Sequence, residues 1–241
     1  MGPKVLGFVP RKDFMAKASK RVRANSELIN KDQVYSVEEA MDLLKKTANT
    51  KFVGSVEVHI RTGIDPKKTD QAIRGTIQLP HGTGKSKRVA AFVTDAKVSE
   101  AKDAGAAVVG GEDLIKHIKD TEKTDFDIAV AEPAMMKNLA SIAKVLGTRG
   151  LMPNPKIGTV SDNIAQMIKE IAGGKISFKN DDSGNVHQII GKTSFSVEQL
   201  IENFKAFIGA LEAAKPATVK KSYLASITLN ASMGPGIRVK A

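Results

Sequence analysis

The chain has no cysteine and no tryptophan, and only two of its residues are tyrosine. The missing thiols exclude a disulfide framework and leave the four histidines (His59, His81, His117, His187) without a partner for a Cys-containing metal site, so a reducing, aqueous compartment fits. No run approaches the roughly eighteen apolar residues of a membrane span, and no membrane partner is expected. Aromatic residues make up 5% of the chain, too few for the stacking platforms on which single-strand binders rely. A nucleic-acid partner would instead be a folded RNA read by shape, backbone and ribose. Acid is missing from one end: residues 215–241 hold five Lys/Arg and no Asp or Glu.

Net charge is +11, and it sits at the ends. Residues 1–31 carry eight bases against two acids, whereas residues 32–214 carry twenty-four of each sign. Basic ends suggest a polyanionic partner. The 241 residues, 41% hydrophobic, suffice for one large or two small domains.

Ser36 and Glu39 have the spacing of a capping box, and the helix they open places Val37, Ala40, Met41, Leu44 and Ala48 on one face. Residues 55–62 alternate, with Val56, Val58 and Ile60 on one side and Ser55, Glu57, His59 and Arg61 on the other, which predicts a half-buried strand with a polar face. From Gly75 the pattern changes to short apolar strands at 88–93, 106–109 and 127–131, with helices at 98–104, 112–119 and 133–146. That is a small open α/β sheet of Rossmann-like type. Beyond it, Ile164, Met167, Ile168 and Ile171 mark a helix ended by Gly173 and Gly174. Strands at 175–179 and 186–190 flank a turn-forming run as a hairpin, a long amphipathic helix begins at Val197, and residues 223–229 form the last strand. Strand 55–62, the hairpin and the last strand are expected to make one four-stranded antiparallel sheet with helices on one face.

Catalytic signals fail on inspection. In His81-Gly82-Thr83-Gly84-Lys85-Ser86, a phosphate-binding P-loop would need glycine at position 79, which is Leu79, and the dinucleotide fingerprint would need it at position 87, which is Lys87. A strand follows where a helix is required, so this is a basic turn. Only an α/β nucleotide-binding enzyme using this loop would compete with a binding role. No G-x-S-x-G elbow occurs, and no metal and no cofactor are expected.

Residues 146–159, LGTRGLMPNPKIGT, include Gly147, Gly150, Pro153, Pro155 and Gly158, too many backbone-setting residues for a helix or strand, and they read as a loop between two architectures. This loop, together with DQ-x-x-RG at 70–75, LPHGTGKS at 79–86 and SMGPG at 232–236, resembles large-subunit ribosomal protein one, the "L-one" family of bacteria and organelles. The four motifs keep the family's order over about residues 15–240. The chain departs from it at Thr148, where the family usually has proline, and at Ala72-Ile73, where it usually has Asn-Val.

The resemblance implies an α/β protein of two domains. Residues 15–74 plus 159–241 would form an α+β, rRNA-binding domain built from both chain ends, and residues 75–158 an inserted Rossmann-like, three-layer domain. The hinge would lie at about 70–75 and 147–158, with Gly75, Gly147, Gly150, Pro153, Pro155 and Gly158 as its pivots. Residues 1–14 would be a mobile N-terminal extension. Lys51, Phe52, Ser55, Ser232, Met233 and Gly234 would contact RNA. The implied role is non-enzymatic: a monomer within the large ribosomal subunit, at the mobile stalk near the exit site, assisting release of deacylated tRNA and repressing translation of its own mRNA. The implied location is the cytoplasm, or an organellar matrix or stroma. A free RNA-binding regulator is the other non-enzymatic reading.

Overall fold

Ser36 caps its helix as its spacing to Glu39 predicts. In the computed structural model, which describes residues 19–30, 33–66, 68–85, 87–155, 158–219 and 222–240, the Glu39 amide donates to Ser36 Oγ at 3.3 Å and the Ser36 amide to Glu39 Oε2 at 3.0 Å. These bonds, to the Ser36 backbone first, hold the Glu39 carboxyl below its ordinary range. The expected extension at 1–14 lies outside the described residues.

Helix α1 (Lys20–Leu28) precedes the capped helix α2 (Val37–Thr47), and strand β1 (Ser55–Thr62) follows them. Its inward residues Val56, Val58 and Ile60 are completely buried, so the alternation read from the sequence holds. Then come β2 (Arg74–Gln78), β3 (Val89–Phe92), α3 (Val98–Asp103), β4 (Val108–Gly110), α4 (Glu112–Thr121) and β5 (Ile128–Ala131). The helix expected at 133–146 is a chain of 3-10 and α turns over 133–148 that includes α5 (Met136–Leu139) and α6 (Ala143–Thr148). The remaining elements are α7 (Ile164–Ala172), β6 (Lys175–Lys179), β7 (Asn185–Lys192), α8 (Val197–Ala213), β8 (Leu224–Ala231) and β9 (Ile237–Val239).

The chain builds two cores. An antiparallel sheet of order β7-β1-β8-β9 buries one face against α2 and α8, whose Met41, Leu44, Leu200, Phe207 and Leu211 are fully enclosed. A parallel sheet of order β4-β3-β5 is covered on both sides. Ala90 and Phe92 point toward α4 and the 133–148 turns, Val89 and Ala91 toward α3 and α7, and all four β3 residues are buried. Sandwiching between helix layers explains why β3 reads as an unbroken apolar run.

Two expectations need correction. The antiparallel sheet has four strands, but β6 is not one of them: it pairs with β2 in a separate ribbon, Gly75 opposite Phe178, and the fourth strand is β9. The turn at 180–185 is real, since Asp181 Oδ1 accepts from the Ser183 and Asn185 amides at 2.9 and 2.6 Å. Past the isolated bridge Asn180–Val186, however, its two arms diverge to different partners. α7 packs in the parallel-sheet core through Ile164, Met167, Ile168 and Ile171. Core membership changes only beyond α7, where Gly174 (φ +95°) lies so close to Gly82 that a Cβ there would sit 2.7 Å from the Gly82 Cα. Glycine is required at position 174 on both counts.

Candidate nucleic-acid interface

Opposite the helices, the antiparallel sheet presents a polar face. Its outward side chains come from four strands in register: Asn185, His187 and Ile189 on β7, Glu57, His59 and Arg61 on β1, Ser226, Thr228 and Asn230 on β8, and Arg238 on β9. Arg61 stands opposite Asn185 and Ser226, His59 opposite His187 and Thr228, and Thr228 opposite Arg238. All of them are partly or fully exposed, as period-two alternation requires of residues interleaved with a buried set.

At one end of this face the two halves of the sequence lock together. The Ser55 amide donates to Ser232 Oγ at 2.9 Å, and the Ser55 carbonyl accepts from the Ser232 amide at 2.9 Å. Lys192 Nζ donates to Ser55 Oγ at 2.9 Å, which fixes a cation at the same corner. The chain then turns tightly, the Gly234 amide donating to the Ala231 carbonyl at 2.8 Å. A Cβ at Gly234 would come within 3.1 Å of that carbonyl oxygen. Met233 is held at φ +64°, a conformation costing a non-glycine residue on the order of 1 kcal/mol, and its side chain is 68% exposed. Arg21 Nη2 donates to the Met233 carbonyl at 3.2 Å, so α1 braces the turn. A pocket of about 430 Å³ opens between them, lined by Val22, Asn25, Ile29, Met233, Pro235 and Arg238.

Thus Ser55, Ser232, Met233 and Gly234 form one contiguous corner. Gly54 lies against it, since a Cβ there would be 3.2 Å from Ser232 Cβ. Lys51 and Phe52 lead into it, both exposed, with Phe52 at 57% exposure and its carbonyl held by Thr50 Oγ1 at 2.8 Å. Phe52 is thus left in solvent and does not belong to the core.

Three features of the face were not singled out in the sequence. Lys192 sits at the end of a strand and reaches across the sheet, which no local pattern reveals. His59 and His187 meet Nδ1 to Nδ1 at 2.8 Å, so one ring donates and the other accepts. Burial, and then the His187 charge, hold His59 below its ordinary pKa. Asp181 Oδ2 lies 3.4 Å from His187 Nε2, and its carboxyl is held low, chiefly by the Asn185 amide. Last, Asn230 Oδ1, behind the Gly234 turn, is buried without a hydrogen-bond donor among the described residues.

Of the residues expected to form the hinge, Gly150 lines a cleft of about 470 Å³ with Arg74 and Phe178. Gly75 lies inside β2, where a Cβ would be 2.6 Å from the Phe178 ring, so the glycine makes room for that ring. Gly147 falls in the last turn of α6, and Thr148 Oγ1 donates to the Lys144 and Val145 carbonyls there. Gly150 and Gly158 have φ +70° and +66°. Pro153 is buried and Pro155 exposed, its carbonyl accepting from the Gly158 amide at 3.0 Å. Beyond them the Ala131 amide donates to the Thr159 carbonyl at 3.0 Å, which ties the loop to β5.

The turn at 79–86 is occupied by structure. Asn203, completely buried on α8, accepts from the His81 amide at 3.1 Å and donates to the Gly82 and Ile190 carbonyls at 3.0 and 2.8 Å. His81 Nε2 also meets Glu202 Oε2 at 2.6 Å. The turn is tied down by α8 and leads into a β-strand, so it is not the phosphate cradle of a nucleotide-binding enzyme.

Two cores, an outward polar sheet face and a shaped loop at its corner define a binding scaffold, and the described residues hold no cluster of three or more His, Cys, Asp or Glu that could bind a metal. No described helix is long and apolar enough to cross a membrane. The model of the Ribosomal protein L1p/L10e family matches residues 44–235, and the chain belongs to that family, one of ribosomal proteins and not of enzymes. It is 50% identical over 226 residues to the large ribosomal subunit protein uL1 of Mesoplasma florum, covering 94% of this chain and 99% of that one. The uL1 proteins of Mycoplasma capricolum and Streptococcus gordonii are likewise 50% identical, over 94% and 93% of this chain and 100% and 98% of theirs.

Proposed function

We propose that this chain is a structural constituent of the large ribosomal subunit and that its antiparallel sheet binds large-subunit rRNA. The carrying observation is the Ser55–Ser232 lock, which presents an exposed, strained Met233 beside an uncovered polar face. Serine hydroxyls, backbone groups and a polarizable thioether suit ribose and backbone recognition in a folded RNA. The relatives' name, large ribosomal subunit protein uL1, supports the assignment. In this reading the protein sits as a monomer at the mobile stalk near the exit site of the cytoplasmic ribosome. The parallel-sheet unit moves on the antiparallel one as deacylated tRNA leaves, and the same RNA-binding face recognises a similar fold in the protein's own mRNA. Two domains are part of this proposal, the inserted one running from about 83 to 174, and the Gly82–Gly174 contact brings its two connections together.

Filter binding to a folded rRNA stalk fragment at two salt concentrations, with unrelated duplex RNA as control, tests the core of it. A preference for the fragment that survives at the higher salt is expected, since counterion release weakens both complexes while shape recognition separates them. Equal binding to both RNAs would refute a specific site.

The histidine pair adds a pH dependence. Glu57 lies 3.8 Å from His59 and Asp181 3.4 Å from His187, Arg61 flanks them on β1, and Arg238 lies beyond Thr228. A polyanion favours protonated His59, so the pKa of His59 is raised in the complex. The gain in affinity is then complete below the depressed pKa of the free protein and lost as pH rises through the bound value. Affinity should increase as pH falls from about 7.5 toward the depressed pKa of His59 in the free protein. A double His59→Gln, His187→Gln variant that keeps the same pH profile would exclude the pair as its source.

A further inference from the structure

On the sheet face beyond Arg238, which also lines the Met233 pocket, lies a cleft of about 860 Å³, lined by Arg61, Ser226, Arg238, Lys240, Val34 and Gly63 among others. Its cations come from different parts of the chain. Arg61 is on β1, opposite Ser226, whereas Arg238 is on β9 and Lys240 just beyond it. The last strand is fixed in place: the Tyr35 amide donates to the Arg238 carbonyl and the Lys240 amide to the Tyr35 carbonyl, both at 3.0 Å. None of the three cations is ion-paired among the described residues, in contrast to Lys85, Arg88, Lys97 and Lys175, each of which has a carboxylate within 4.0 Å. The nearest acids on the face, Glu57 and Asp181, lie against the two histidines instead.

Like charges gathered without counter-ions repel one another, so the arrangement is favourable only with an anion between them. Guanidinium forks match the oxygens of a phosphate, and an open cleft bordered by three cations from two strands and the chain beyond them suits an extended polyanion. Ser55 and Arg61 are six residues apart on one strand, so Arg61 lies about 20 Å from the Ser55–Ser232 corner, with Arg238 between the two ends. An RNA helix exposes riboses in a wide, shallow minor groove with a phosphate backbone along each rim, offering two contacts on one surface.

We propose that Arg61, Arg238 and Lys240 hold two backbone phosphates of the same RNA whose riboses meet Ser232 and Met233, so that the sheet face is read from end to end. This rests on the RNA-binding reading above. In filter binding to the folded rRNA stalk fragment over a salt series, Arg61→Ala with Arg238→Ala should reduce the slope of log affinity against log salt by about 1.5, the release of counterions from two phosphates. Affinity at the lowest salt should fall by more than tenfold. Arg61→Lys with Arg238→Lys should restore most of the slope. Lys116→Ala with Lys119→Ala, an equal change of charge on the exposed side of α4, should leave it unaltered. An unchanged slope in the arginine-to-alanine variant, or an equal fall in the α4 control, would overturn the second contact while the Met233 corner stood. Failure of the unsubstituted chain to prefer the fragment over unrelated duplex would instead refute the RNA-binding reading itself, and this inference with it.

Discussion

Replacing Asn203 with leucine is expected to destabilise the antiparallel core by about 2–4 kcal/mol, although the new side chain is apolar, similar in size and placed on the buried face of a helix. The change strips partners from one amide and two carbonyls at once, those of His81, Gly82 and Ile190. A buried backbone group left unpaired costs about 1–3 kcal/mol, and the Ile190 carbonyl is the most enclosed of the three. For a chain of this length the midpoint of thermal unfolding should drop by about 5–15 °C. The absence of tryptophan makes the measurement selective, because both tyrosines, Tyr35 and Tyr223, belong to the antiparallel core. Tyrosine fluorescence therefore follows that core alone, and it should report the shift, with Lys205→Ala as a control within about 0.5 kcal/mol. A loss below 1 kcal/mol in the leucine variant would show that the 79–84 turn finds other partners, and that Asn203 does not anchor it.

Asn203 also shows where the sequence is legible and where it is not. The stripe Leu200, Phe204, Leu211 is a local, periodic signal, and all three side chains are buried as periodicity demands. An asparagine among them reads as noise until its partners, 121 to 122 residues away for Gly82 and His81, are in view. The same holds for strands. Residues 175–179 alternate correctly, with Ile176 and Phe178 inward, but alternation fixes the face of a strand and not its partner, which proved to be β2. β2 escaped notice because Arg74-Gly75-Thr76-Ile77-Gln78 has a glycine and a single large apolar residue, and β9 because it has only three residues. At the corner, resemblance picked out Ser232 and Met233, and the lock to Ser55 across 177 residues shows why the two segments belong together.

Met233→Asp should leave stability within about 0.5 kcal/mol and lower RNA affinity about thirtyfold or more. The first half follows from exposure: two thirds of the side chain is in solvent, and the turn is held by the Gly234 amide and the Arg21 guanidinium, which donate to backbone carbonyls that the substitution leaves intact. Aspartate also tolerates a positive φ better than methionine, so strain at φ +64° should ease. The second half combines loss of the thioether contact, about 2 kcal/mol for a central interface side chain, with a carboxylate placed against phosphate. Met233→Gly separates the two, since it keeps the backbone conformation and adds no charge. Its loss of affinity should persist at high salt, because packing against a ribose releases no counterions, whereas the loss from the Arg61 and Arg238 variants should fade as salt rises. If Met233→Gly binds as tightly as the unsubstituted chain, the turn offers only its backbone to RNA. If Met233→Asp instead melts several degrees earlier, the side chain packs against the protein and the corner is not an interface.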